Sequence, residues 1–374
     1  MAVTQVLTSD PLTLKLWETT AWIQTMQKSH MGHLFNRGAI YVPEKLMSAN
    51  SRGDSLTFPY IGKMKGVPVG EGGTLVNNEK ALDMRAHSMI INESRDAIKF
   101  PATGIEQQRL GFDMDKVIEE LLPSRAVELV DTSIFQQLAG VNPNTITMDG
   151  TTYSTTAEKL HVQGHNIPVA PSVNRIMRPN GVTADQNLSS TDRMSLPLID
   201  YAMEQNDAAD QPIEPFDDGT FDLYLSPAQL TQLKLDTTSA ITWRSIAGNM
   251  AAGGDKKAYS NRFMNGMVSV GTYANVNLYS NRRVAYGINS TNSAPISTVR
   301  RAVLVGKNAL SYASPYGGRP TDTDVPMKII NQLEDYGKYK GIGFEMVYGL
   351  KKMAPTNYED IGSLVISTYA AQNY

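Results

Sequence analysis

The chain has 374 residues, more than a single hydrophobic core of about 250 to 300 residues accommodates, so it should divide into modules. Hydrophobic residues make up 41% and charged residues 19%, a globular balance that excludes a disordered chain, and no apolar run is long enough to cross a bilayer. A formal charge of −3 argues against a protein that grips nucleic acid by neutralising many phosphates, and the absence of cysteine removes disulfides, thiolate nucleophiles and thiolate metal sites together.

Residues 1–10 carry no basic cluster and no apolar stretch with a small-residue cleavage site, so no secretory signal is expected and the chain reads as cytoplasmic in its synthesis. Asp10 and Pro11 then read as an N-cap with proline at the first helical position, and Leu12, Leu16, Thr20, Ile23 and Met26 continue a helical stripe. From Ser55 the pattern alternates, with Leu56, Phe58 and Tyr60 on one face, before five glycines crowd into 62–73. Residues 84–91 return from that glycine-rich tip, which predicts a long hairpin with little to bury at its end. Such a hairpin needs another surface to lie on.

Thr103 and Glu106 have capping-box spacing, and apolar residues from Leu110 through Ile118, Leu121 and Leu122 to Leu138 recur at three- and four-residue intervals. One long helix over 105–139, roughly 50 Å, follows, with a bend expected at Pro123. Residues 141–190 read as irregular connection with one short strand pair. A second helix is expected over 191–205, with Pro197 as a possible break, then an acidic surface loop containing Asp217, Asp218 and Asp222. A strand at 221–225 and a helix capped by Ser226 and Pro227 come next. Further strands are expected at 268–273, 275–279, 302–306, 342–350 and 363–369, making the second half a mixed sheet region and the whole chain α+β.

No constellation amounts to a catalytic, cofactor or metal site. His161 and His165 have helical ligand spacing but lie in an irregular, glycine-containing stretch without the glutamate of a zinc-protease motif. Ser269 between Gly266 and Gly271 has one residue too many for a nucleophile elbow and falls in an expected strand. Gly66, Gly70, Gly72 and Gly73 lack the lysine and hydroxyl of a phosphate cradle, so a hairpin tip explains them better. The acidic stretch lacks the register of an EF-hand loop. The basic pairs Lys256 and Lys257, Arg282 and Arg283, Arg300 and Arg301, and Lys351 and Lys352 are scattered, which reads as solvated faces or subunit contacts.

The order of arm, glycine-tipped hairpin, long helix, second helix and mixed sheet region resembles a tailed-phage major capsid protein of the Hong Kong 97-type fold. Particular runs are similar to the coat proteins of N-four-like podoviruses: LKLW at 14–17, GDSLTF at 53–58, TGIEQQRLGF at 103–112 and DTSIFQQLAG at 131–140. APSVNR at 170–175, LIDYA at 198–202 and LSPAQ at 225–229 follow in the expected order, with further similarity at 262–271, 276–284 and 340–351. Each run alone is weak, and their common order carries the resemblance.

The resemblance implies an N-terminal arm at 1–54 and an E-loop hairpin at 55–100. It further implies a peripheral domain at 101–217 and 326–355 containing the spine helix, and an axial domain at 218–325 and 356–374. It also implies a structural subunit, not an enzyme, with no cofactor, forming hexamers and pentamers of a virion shell assembled in the host cytoplasm. The E-loop tip, with Lys63, Lys65, Gly66, Gly70 and Gly72, would contact a neighbouring subunit. Scaffolding, portal and decoration proteins are the implied partners, and the shell would enclose double-stranded DNA without sequence-specific binding and without a membrane. Because only about ten residues precede the first helix cap, the scaffolding protein is expected to be separate. The rival readings are a cellular encapsulin-like nanocompartment shell and, from another class, a cytosolic hydrolase.

Overall fold

The computed structural model describes residues 11–43, 55–62, 66–101, 109, 114–236, 270–315, 326–355 and 358–371. In chain order it opens with α1 (Pro11–Lys28), α2 (His30–Arg37) and β1 (Ile40–Tyr41), then β2 (Ser55–Ile61), β3 (Met84–Ile90) and β4 (Asn92–Pro101). The long helix α3 (Met114–Ala139) precedes β5 (Ile146–Met148), β6 (Thr151–Tyr153), α4 (Thr156–His161) and β7 (Ile176–Met177). The chain continues through α5 (Leu196–Asp207), β8 (Phe221–Leu225), α6 (Pro227–Leu235), β9 (Gly271–Tyr273), β10 (Val276–Ser280) and β11 (Tyr286–Ile288). It ends with β12 (Pro295–Val305), β13 (Leu310–Ala313), β14 (Met327–Glu334), β15 (Tyr339–Lys352) and β16 (Ser363–Tyr369).

Two sheets organise these elements. A five-stranded sheet has the order β1-β13-β15-β14, with β4 also paired to β15 from Tyr339↔Pro101 to Tyr348↔Asn92. A seven-stranded sheet has the order β7-β16-β12-β8-β10-β9, with β11 on β12. Its central strands read as continuous apolar runs such as Val303, Leu304 and Val305, and Leu364, Val365 and Ile366, because both faces are covered. Helices α5 and α6 bury Leu198, Ile199, Ala202, Leu230 and Leu233 in the core around that sheet. Helix α3 and the α1–α2 pair pack with the five-stranded sheet and reach Tyr224, Tyr279 and Val303 of the other.

Helix α3 changes character along its length. Its first described turns are amphipathic, with Ile118, Leu122 and Ala126 buried and Val117 and Leu121 exposed, whereas from Leu129 to Ala139 every residue is buried. Leu121, which the three- and four-residue recurrence placed in the apolar stripe, therefore lies on its flank and is 50% exposed. The expected cap at Thr103 and Glu106 lies outside the described residues, and the helix runs through the buried Pro123 as one element. At its end Gly140 takes φ +59, donating to the Gln137 carbonyl while Val141 donates to Gln136. A Cβ there would also run into the Val169 carbonyl oxygen, so only glycine fits.

Other expectations need correction. In α1 the buried face is Ala21, Trp22, Thr25 and Met26, while Thr20 and Ile23 are exposed. Helix α5 starts at Leu196 behind the N-cap Ser195, so Pro197 sits in the first turn, where its missing N–H costs nothing, and breaks no helix. Asp222 is not on a surface loop: it is fully buried in β8. The Arg37 guanidinium donates to its two oxygens at 3.1 and 3.3 Å, and His33 Nε2 lies 3.0 Å away.

Candidate assembly surfaces

Strands β2 and β3 form the expected hairpin, in register from Ser55↔Ile90 to Ile61↔Met84. The alternation of apolar residues turns Leu56, Phe58 and Met89 into a small cluster with Ala313 and Met353, which seats the root of the hairpin on the subunit. His87 joins them, its ring 5.0 Å from that of Phe58 and its Nε2 3.0 Å from Ser311 Oγ. Burial, then the charge of Lys351, lowers the His87 pKa to about 4, so this histidine is neutral at pH 7.

Beyond the root the hairpin buries almost nothing. Val67, Leu75, Val76 and Leu82 on the connecting loop are 57–79% exposed, and Ile61 and Met84 at the strand ends are similarly uncovered. Gly66, with φ +125, Gly70 and Gly72 lie on this exposed loop, whereas Lys63 and Lys65 fall outside the described residues. A second projection, unforeseen from sequence, is the β14–β15 turn at Asp335–Gly337, where Tyr336 and Leu333 stand exposed.

The basic pairs turn out to be largely interior. Lys352 is fully buried, with Nζ donating to Asp360 Oδ2 at 2.7 Å; burial lowers the lysine pKa and raises that of the aspartate, against their mutual attraction. Arg301 donates to Asp185 at 2.8 Å and to the Ala139 carbonyl at the end of α3. Burial alone would push the Asp185 carboxyl up, but Arg301 and Arg178 outweigh it and hold it below the usual range. Arg300 stacks 3.5 Å over the Tyr286 ring. Among the described residues of these pairs, only Arg282 remains substantially exposed; with Arg283 and Asp149 it lines a cleft of about 440 Å³. Lys256, Lys257 and Ser269 lie outside the described residues.

Histidines are likewise used as hydrogen-bonding groups. His165 Nε2 lies 3.0 Å from Ser94 Oγ and its ring 5.5 Å from that of His161. Burial, then His161, lowers the His165 pKa to about 4. His30 is bound to Asp131 both through its backbone N–H and through Nδ1. Among the described residues no group of three His, Asp or Glu side chains is placed to hold a metal ion, and no helix is long and apolar enough to cross a membrane.

A model of the phage capsid protein family matches residues 5–372. The chain belongs to that family. As a phage capsid protein it is a structural subunit and a component of an oligomeric virion shell. Its fold is that of solved capsids, the Hong Kong 97-type. The capsid of Ralstonia phage GP4 is 21% identical with a TM-score of 0.69, over 100% of both chains. The cyanophage Pam1 capsid is 17% identical with a TM-score of 0.62, over 89% of each chain. The acid-stable capsid of Helicobacter pylori bacteriophage KHP30 is 13% identical with a TM-score of 0.56, over 89% of this capsid protein and 88% of that one. No curated protein sequence matches the chain.

Proposed function

We propose that copies of this capsid protein assemble into hexamers and pentamers of a closed icosahedral shell around double-stranded DNA, and that the hairpin β2–β3 with its loop is an inter-subunit contact. The observation that carries this reading is the run of exposed Val67, Leu75, Val76 and Leu82 on a segment without a core of its own. Lys63, Lys65, Gly66, Gly70 and Gly72 belong to that contact. The α3 and five-stranded-sheet unit corresponds to the peripheral domain and the seven-stranded sheet to the axial domain, with β1, β4, β13 and β7 each crossing the boundaries drawn from sequence. The weak net charge suits a lining that encloses DNA without gripping it. Scaffolding, portal and decoration proteins complete the particle in the host cytoplasm, and the subunit performs no catalysis. A phage coat is favoured over a nanocompartment shell by the extent of the family match.

Electron microscopy of the purified chain tests the reading: capsomers or megadalton particles support it, and a protease-resistant 41.0 kDa monomer at high concentration overturns it. Deleting residues 63–73 should leave the circular dichroism of the subunit intact and abolish shell closure. Closed shells at normal yield would remove the hairpin from the assembly contacts.

A further inference from the structure

We infer that Asn166 is a positioning residue that sets the angle at which the hairpin leaves the subunit, an inference that rests on the hairpin being an inter-subunit contact. The chain turns from β3 into β4 at Ile91, between the hairpin and the five-stranded sheet. At that bend the Asn166 side chain takes the place of a neighbouring strand. Its Oδ1 accepts from the Ile90 N–H at 2.8 Å and its Nδ2 donates to the Ile90 carbonyl at 2.9 Å. The same Nδ2 lies 3.2 Å from the Leu350 carbonyl of β15 and 3.1 Å from that of Gly164.

The backbone that carries this amide is itself fixed from behind. Gln137 of α3 donates to the Asn166 and Gln163 carbonyls at 2.6 Å each and accepts from the Lys352 N–H at 3.3 Å. The preceding residue, His165, meets Ser94 just beyond the bend, so consecutive side chains hold the chain on both sides of Ile91. Gly349 of β15 lets this crossing happen, because a Cβ there would collide with the Ile90 carbonyl oxygen. Asn166 is only 5% exposed.

The physical case for positioning is one of directionality. The apolar cluster at the hairpin root attracts without preferring an angle, whereas a two-point amide-to-backbone contact is lost when the bend opens by a few tens of degrees. Seven residues of β3 make a lever of roughly 20 Å, so a change of about 10° at Ile90 moves the far end by roughly 3 to 4 Å. That is enough to lose register with a neighbouring subunit.

The test uses Asn166→Ala and Gly349→Ala in the full chain, under conditions in which the unaltered chain gives closed shells of native diameter. Asn166→Ala removes the clasp; Gly349→Ala leaves the amide in place but displaces the Ile90 carbonyl. Both should give folded capsomers with unaltered circular dichroism, a broadened distribution of particle diameters and a closed-shell yield reduced at least several-fold. Shells of native diameter and yield from Asn166→Ala, however much lower its Tm, would make the contact merely stabilising and overturn the inference. Failure of both variants to fold would overturn it too, since the contact would then hold the subunit together and not aim the hairpin. If the 63–73 deletion also closes normally, the hairpin reading itself has failed; if only the deletion blocks closure, this inference alone has.

Discussion

The second half of α3 and the β2–β3 hairpin treat their side chains in opposite ways. From Leu129 to Ala139 even polar residues are enclosed and held inside the subunit: Asp131 by His30, Ser133 by the Leu129 carbonyl, Gln137 by the loop at 163–166. On the hairpin and its loop, apolar residues such as Val67 and Leu75 face solvent, covered by none of the described residues. The interior is complete in one copy, and the hairpin is not. Subunit stability and assembly competence should therefore respond to different substitutions, and each of the following measurements can break that separation or sharpen it.

The largest effect on stability is expected at the buried ion pair. Lys352→Met removes the buried cation that faces the Asp360 carboxyl, leaving it only the Ser172 backbone hydrogen bond and the charge of Arg175, and should cost about 3 to 5 kcal/mol in denaturant unfolding of capsomers. Adding Asp360→Leu should recover most of that loss, because replacing both members leaves no unpaired charge. A double variant no better than Lys352→Met would show that the pair does not act as a unit. Next in size, Leu122→Ala should cost about 2 to 5 kcal/mol, while its exposed neighbour Leu121→Ala should stay within roughly 0.5 kcal/mol. A shell defect from Leu121→Ala at unchanged stability would place that flank of α3 with the hairpin, among the surfaces covered by neighbours.

Acid provides a smaller, graded probe of the hairpin root. His87 and His165 have folded pKa values of about 4, below the ordinary 6.5, so between those limits the unfolded chain binds protons that the folded one refuses. Stability should thus fall as pH drops from about 6.5 to 4 and level off, for these groups, below about 4. Each should contribute on the order of 1 to 3 kcal/mol over the window. The Asp185 carboxyl, held low by its arginines, loses its contribution only below its ordinary value of 3.8, so the two responses separate on the pH axis. Melting curves of capsomers between pH 4 and 7 check this, with His87→Gln expected to flatten the slope; an unchanged slope would mean that His87 is protonated in place.

Much of the fold was legible because it is written in local periodicity. The alternation at Leu56, Phe58 and Tyr60 gave away β2, the three- and four-residue recurrence through Ile118 and Leu122 gave away α3, and Ser226 before Pro227 marked α6. Strand β14 escaped because its outer half is exposed on both faces and so carries no alternation; β13 is four buried residues, too short to show a period. The hairpin tip could be read from its glycines, but its clasp could not. Asn166 lies 76 residues from Ile90, Asp185 lies 116 from Arg301, and Asp222 lies 185 from Arg37. A basic or acidic side chain taken alone reads as surface; only the folded chain brings the partner that lets it go inside.

The smallest effect is expected at Pro123, where three contributions nearly cancel. Restoring an N–H and removing the ring clash in the helix favours Pro123→Ala by up to about 3 kcal/mol. Pro123 is buried, however, so the two ring carbons lost represent roughly 1.6 kcal/mol of apolar burial at about 0.8 per methylene. The unfolded chain also gains freedom when proline leaves, worth about 0.4 to 1 kcal/mol against folding. The balance is a stabilisation of at most about 0.4 to 1 kcal/mol, well below the simple expectation from helix propensity. Because α3 packs with both sheets, even a slight change in its course alters how the five-stranded unit sits against the seven-stranded one. Pro123→Ala should therefore raise the capsomer Tm by only a few degrees at most while lowering the fraction of correctly closed shells counted by microscopy. A more stable subunit that closes shells as well as the parent would confine the proline to the interior; a less stable one would show that ring packing outweighs the recovered hydrogen bond.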